Sequence, residues 1–185
     1  MKGAWTSVAL MRRLALAILC QPLALAAAQA AVTTSALPVT ATVVQKCQIN
    51  VSPPAFGTYD PVLRNANVSA TGTGIVEVTC TAGSAGVTIG LDLGANASGS
   101  SRRLKSGSNY LAYELYQPSS SSPNAACTFP GTTVWGTTGG YLFTPSGTPW
   151  SASSPQDFNV CGTVPGGQNV PPGAYTDTVV TTVNF

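Results

Sequence analysis

The sequence has 185 residues, with 8 basic and 6 acidic side chains and no histidine. Without histidine, Ser-His-Asp and Cys-His nucleophilic arrangements are excluded, and zinc and haem sites lose their commonest ligand. Beyond residue 30 five cations (Lys46, Arg64, Arg102, Arg103, Lys105) face six carboxylates, a formal charge of −1; with no basic excess, nucleic acid and anionic membranes are poor partners.

The N-terminus reads as an export signal. Lys2, Arg12 and Arg13 form a basic region, residues 14–28 are rich in Leu and Ala, and Ala28-Gln29-Ala30 is an A-x-A cleavage site. The apolar run is short and broken by Gln21-Pro22, so no membrane insertion is expected after cleavage. Residues 1–30 are therefore assigned as a signal peptide.

After it, Thr, Val, Gly, Ser and Pro dominate and helix-forming runs are absent, an all-β signature. Leu37, Val39, Ala41 and Val43 alternate with polar positions, the signal of a half-buried strand. Pro38 falls on the polar parity and removes one ladder donor. Ile49 and Val51 continue the alternation until Pro53-Pro54. Strands are expected over residues 74–80, 86–94, 110–116 and 157–161, with short pieces at 135–136 and 141–143 and a long low-complexity loop at 117–131. The cluster Arg102-Arg103-Leu104-Lys105 reads as a solvated turn. Residues 173–185 are a Gly-led, β-branched strand that runs to the last residue of the sequence. Tyr175, Val179, Val183 and Phe185 share one parity and hence one face. A terminus this regular, ending on a bare aromatic, suggests a docking surface, because strand ends otherwise fray; a strand that pairs only within its own sheet is the commoner outcome and the one the residues alone favour. Asp177 shares that parity and is expected at the strand's solvated start.

Cys20 falls in the leader, leaving Cys47, Cys80, Cys127 and Cys161. An even count in an exported chain reads as disulfides, with three possible connectivities; Cys47–Cys80 with Cys127–Cys161 is the favoured one. With no CxxC and no histidine, no metal or cofactor is expected. The carboxylates are scattered with no spacing that suggests a catalytic pair, so no enzyme is expected.

Taken together, Cys47, Phe56-Gly-Thr-Tyr59-Asp60, Ile75-Val-Glu-Val-Thr-Cys80, Leu111-Ala-Tyr113-Glu-Leu-Tyr116, Trp135-Gly136, Gly162-Thr-Val-Pro165-Gly-Gly-Gln168 and the strand from Gly173 to Phe185 resemble the spore coat protein U domain family. That family includes subunits of archaic (Csu-type) chaperone–usher pili. The chain departs from the family's pattern at Cys161, where an aromatic is common nearby, and in the longer 117–131 loop. Both positions carry a cysteine, which a Cys127–Cys161 staple would account for.

The resemblance implies an incomplete immunoglobulin-like β-sandwich of the pilin type, missing its final strand. Residues 31–46 would be an N-terminal donor-strand segment and residues 47–185 the pilin domain. Leu37, Val39, Ala41 and Val43 would insert into a neighbouring subunit, and Tyr175, Val179, Val183 and Phe185 would line the acceptor groove. The implied partners are neighbouring pilin subunits, a periplasmic chaperone and an outer-membrane usher. The implied route runs through the periplasm to the cell surface, where the fibre serves adhesion or biofilm formation. Two other readings remain: a coat protein that assembles without an usher, and a carbohydrate-binding module using Tyr59, Tyr110, Tyr113, Tyr116, Trp135 and Trp150 as an aromatic platform.

Overall fold

A computed structural model describes residues 30–147, 150–151 and 153–185. The assigned signal peptide lies outside the described residues except for Ala30. The chain divides into two units at Ala41 and Thr42. In the first, residues 30–41 form no helix or strand, and Leu37 and Val39 are exposed. In the second, residues 42–46 are likewise without strand, and Val43 is exposed. The alternation over 37–43 thus makes no strand in the single chain.

The second unit is all-β, with one three-residue 3-10 turn at Gly139–Tyr141 among the described residues. Among the described residues its strands are β1 (Cys47–Ser52), β2 (Ala70–Cys80), β3 (Thr88–Leu91), β4 (Arg102–Ser106), β5 (Asn109–Tyr116), β6 (Gln156–Val164) and β7 (Thr181–Asn184). A five-stranded antiparallel sheet runs β1-β2-β6-β5-β4, and β3 pairs with β7 in a second. Among the described residues no helix is long and apolar enough to cross a membrane.

Period-two patterning explains which faces meet. Val76 and Val78 of β2, Leu111, Tyr113 and Leu115 of β5, and Phe158, Val160 and Val164 of β6 point inward and are buried. They meet Ile89 and Leu91 of β3 in one core with Trp135, Phe143 and Trp150. Trp135 stacks on Phe143 at 4.7 Å and donates its indole N–H to the Ile89 carbonyl at 2.9 Å. Trp135, Trp150 and Tyr113 are thus core residues, which takes three of the six aromatics out of the alternative carbohydrate platform. Of the short pieces expected at 135–136 and 141–143, only Phe143 pairs, as an isolated bridge to Ile89; Val134, just before the first, bridges Tyr116.

The basic cluster is not a solvated turn. It begins β4, and Arg102 is fully buried. Its guanidinium pairs with Glu114 and donates to the carbonyls of Leu91 at 3.0 Å, Asp92 at 2.6 Å and Trp135 at 2.6 Å. Those acceptors satisfy a charge that burial alone would make very costly.

Both disulfides have the favoured pairing, Cys47–Cys80 between β1 and β2, and Cys127–Cys161 between the long loop and β6. After β1 the chain crosses the inner face of β2 as a strap. A Cβ on Gly74 would meet the Ser52 carbonyl oxygen at 2.6 Å, and one on Gly162 would meet the Phe56 ring at 2.8 Å. Glycines at inward positions clear the path that lets Phe56 pack towards Tyr113, ring centres 6.1 Å apart.

Candidate functional site

The site lies along one flank of the sandwich, between β1 with its strap and residues 173–183. Two recesses run along it. The larger, about 1150 Å³, is lined by the strap and loop at 54–62, by Leu104 and Leu111, and by residues 169–177. The smaller, about 160 Å³, is lined by Val51, Val76, Tyr113, Val160, Val179 and Thr181 among others. Pro54, Phe56, Leu104 and Asp177 line both, and mark where the two join.

One wall is β1, the edge of its sheet. Val51 stands opposite Val76 and Ile49 opposite Val78, all on the inward parity. Yet Val76 and Val78 are 2% and 0% exposed, whereas Val51 and Ile49 are 51% and 42% exposed. Inner-face side chains left this open lack a covering element. The Thr81 amide donates to the Lys46 carbonyl at 2.9 Å. By antiparallel alternation, Cys47, Ile49 and Val51 direct their main-chain groups away from β2.

The other wall is the C-terminal segment. Tyr175, Asp177, Val179, Thr181 and Val183 are half-buried, while Thr176, Thr178, Val180 and Thr182 are exposed. The even positions hold the segment to β4 and to the chain following β3: Thr176 exchanges bonds with Lys105 at 2.8 and 3.0 Å, the Thr178 carbonyl accepts from Ala95, and the Val180 carbonyl accepts from Asp92. Further along, Ile89 exchanges its main-chain bonds with Phe143, so it and Val183 opposite point their main-chain groups apart. The N–H and C=O groups of the odd positions 175–183 therefore face away from β3 and meet no partner among the described residues. The strand expected over residues 173–185 is thus regular only at β7, Thr181–Asn184, with a single bridge at Thr176 before it, and the open edge of β1 and this extended segment flank one apolar groove. Such edges are ready templates for pairing with another strand.

Of the sequence-derived groove residues, Tyr175 and Val179 line the recesses. Val183 packs against the core beside Ile89. Phe185 is exposed and lines neither recess, because the ladder ends at Asn184. Ile49, Val51, Phe56 and Leu104 were missed; the signal that could have found the strap is the inward Gly72-x-Gly74 pair, which only an overlying chain requires.

Asp177 is not at a solvated end. Its carboxylate accepts from the Tyr113 hydroxyl at 2.7 Å and from the Asn96 amide and side chain at 3.0 Å each. A Cβ on Gly94, whose φ is +84°, would collide with that carboxylate, so this turn admits only glycine. Burial pushes the Tyr113 phenol far above its usual range, and the hydrogen bond to Asp177 and its charge push the same way. Burial and Glu114 raise Tyr116 likewise. No group of three or more Cys, Asp or Glu that could hold a metal occurs among the described residues.

These features define a class: an incomplete immunoglobulin-like sandwich whose missing strand leaves a groove between two open edges. The profile of the Spore Coat Protein U domain matches residues 33–182, and the chain belongs to that family. It is 38% identical over 140 residues to Protein U of Myxococcus xanthus, covering 70% of each chain. Its fold is similar to that in a solved chaperone–tip adhesion subunit pre-assembly complex, CsuC–CsuE, from the archaic chaperone–usher Csu pili of Acinetobacter baumannii. That match has a TM-score of 0.50 at 22% identity and covers 78% of this chain and 40% of the other.

Proposed function

We propose that this protein is a structural subunit of a surface pilus, assembled by the chaperone–usher route through strand addition. Residues 37–43 of one copy fill the groove of the next. A periplasmic chaperone occupies the same groove before assembly, and an outer-membrane usher passes the subunit to the cell surface, where the fibre serves adhesion or biofilm formation. The role is structural rather than catalytic.

The observation that carries this reading is the unpaired edge at positions 175–183, set beside an apolar groove while Leu37, Val39 and Val43 stand exposed. Burying Val and Leu side chains is worth about 1.5–3 kcal/mol each, and the main-chain bonds satisfy both open edges. A head-to-tail contact of this kind does not close on itself, so it propagates as a filament.

The test is Leu37→Asp and Val39→Asp in the exported chain, read by electron microscopy of the cell surface. Loss of fibres with normal secretion is expected; fibres that persist would contradict the donor assignment. The family's name also favours a coat protein assembled without an usher. Deleting the usher separates the two, because a coat would still form.

A further inference from the structure

We propose that Asp177 sets the register of the incoming strand. Ala41 of the neighbouring copy sits opposite Asp177, with Val43 opposite Tyr175, Val39 opposite Val179 and Leu37 opposite Thr181, the two strands antiparallel. This rests on the strand-addition reading above and specifies it.

The groove is not uniform. Its larger recess, about 1150 Å³, lies beside Tyr175 and Ala174, and its smaller one, about 160 Å³, beside Val179 and Thr181. Asp177 stands at the join and lines both parts. Its carboxylate is held from two sides, by Asn96 and by the Tyr113 hydroxyl, so it cannot swing aside without leaving a buried phenol unpartnered. A charged group fixed in an apolar groove disfavours a branched side chain pressed against it, which would strip its remaining solvent. Of the four alternating donor residues, only Ala41 is small enough to leave that space.

Main-chain direction agrees. The odd positions of residues 175–183 point their N–H and C=O groups across the groove. Pairing them with odd donor residues buries the four apolar side chains and exchanges both bonds at each pair. Pro38, on the even parity, then lacks its N–H only on the side facing β1 and takes no bond from the C-terminal segment. Antiparallel pairing is the more stable per residue. It also seats Val39 and Leu37 along the smaller recess, where Val51 stands open. A parallel strand with Ala41 at Asp177 would carry Leu37 to Gly173, at the far end from Val51.

The four native cysteines of the second unit are tied up in two disulfides, so an introduced thiol pair can be read alone. Val179→Cys is combined in turn with Leu37→Cys, Val39→Cys, Ala41→Cys and Val43→Cys in the full exported chain. Surface polymers are treated with a short thiol cross-linker and run without reductant. Only the Val39→Cys pair is expected to give a ladder of cross-linked copies. A ladder from Ala41→Cys, Val43→Cys or Leu37→Cys instead overturns the register and leaves strand addition standing. Absence of polymers or of any ladder from all four overturns both. A second readout spares Val179: Ala41→Leu is expected to cut polymer yield about tenfold through overpacking, whereas Val43→Leu, facing the larger recess, is tolerated. Equal tolerance of the two contradicts the proposal.

Discussion

The two flanks of this sandwich are built from the same kind of alternating strand and end in opposite states. Around Trp135 and Arg102, the inward side chains Ile89, Phe143 and Phe158 are buried, and the buried Arg102 charge has four acceptors. At β1 and residues 175–183, inward side chains face a groove and main-chain groups face each other across it. Patterning alone does not distinguish the two. What differs is whether the chain itself supplies the next strand. An inward-patterned residue that stays exposed therefore marks where another molecule belongs.

The largest effect should fall on the closed flank. Arg102→Met leaves Glu114 and three carbonyls without their cation, and should cost about 3–5 kcal/mol in urea denaturation of the unassembled chain. A smaller loss would mean that this flank is less closed than its geometry indicates.

The disulfides offer a second contrast, because Cys47–Cys80 ties the open edge strand β1 and Cys127–Cys161 ties the long loop to β6, which is paired on both sides. Their sequence separations are 33 and 34 residues. Loop-closure entropy then predicts equal losses, about 3–4 kcal/mol each, for Cys47→Ser/Cys80→Ser and Cys127→Ser/Cys161→Ser. A markedly smaller loss for the β1 pair would show that the open edge frays even when cross-linked.

Next comes a matched pair across one rung. Val76→Ala should cost about 2 kcal/mol in the unassembled chain, from lost burial and the cavity left behind. Val51→Ala, directly opposite, should cost about 0.5 kcal/mol or less there, yet weaken polymers. Similar costs at both positions in the unassembled chain would erase the distinction between flanks.

The smallest effect is in pH. Tyr113 stays protonated in the fold well above the pH at which an unfolded tyrosine ionises, about 10. Above that point the unfolded chain holds fewer protons than the folded one, so stability falls as pH rises, and is fully present below it. The decline seen between about pH 10 and 11.5 should be shallower in Tyr113→Phe. An identical slope would remove the Tyr113–Asp177 contact from the account.

Much of this was legible in the residues. The period of two placed Tyr175 and Val179 on the inward face, and the cysteine count gave the pairings a short menu. Other parts were not, for physical reasons. Arg102 sits in a run of cations that reads as solvated, and its acceptors come from residues 91, 92 and 135, which only the fold brings together. Asp177 reads as a solvated start because its partners, Asn96 and Tyr113, are 81 and 64 positions away. Phe185 keeps the parity of Val183, but the ladder that gives parity its meaning has already ended. The β1 wall was hidden because exposure of Ile49 and Val51 is a fact about a missing neighbour, and neighbours are what a linear pattern does not list.

The C-terminal edge is open until another strand pairs with it. Residue-resolved amide hydrogen exchange, compared between the unassembled chain and its polymer, tests this most directly. The amides of Thr176 and Val180, already bonded within the chain, should be protected in both. Those of Tyr175, Asp177, Val179, Thr181 and Val183 should exchange freely in the unassembled chain and become protected in the polymer. Odd amides that are protected before assembly, or that stay open after it, would mean that no partner strand completes this edge.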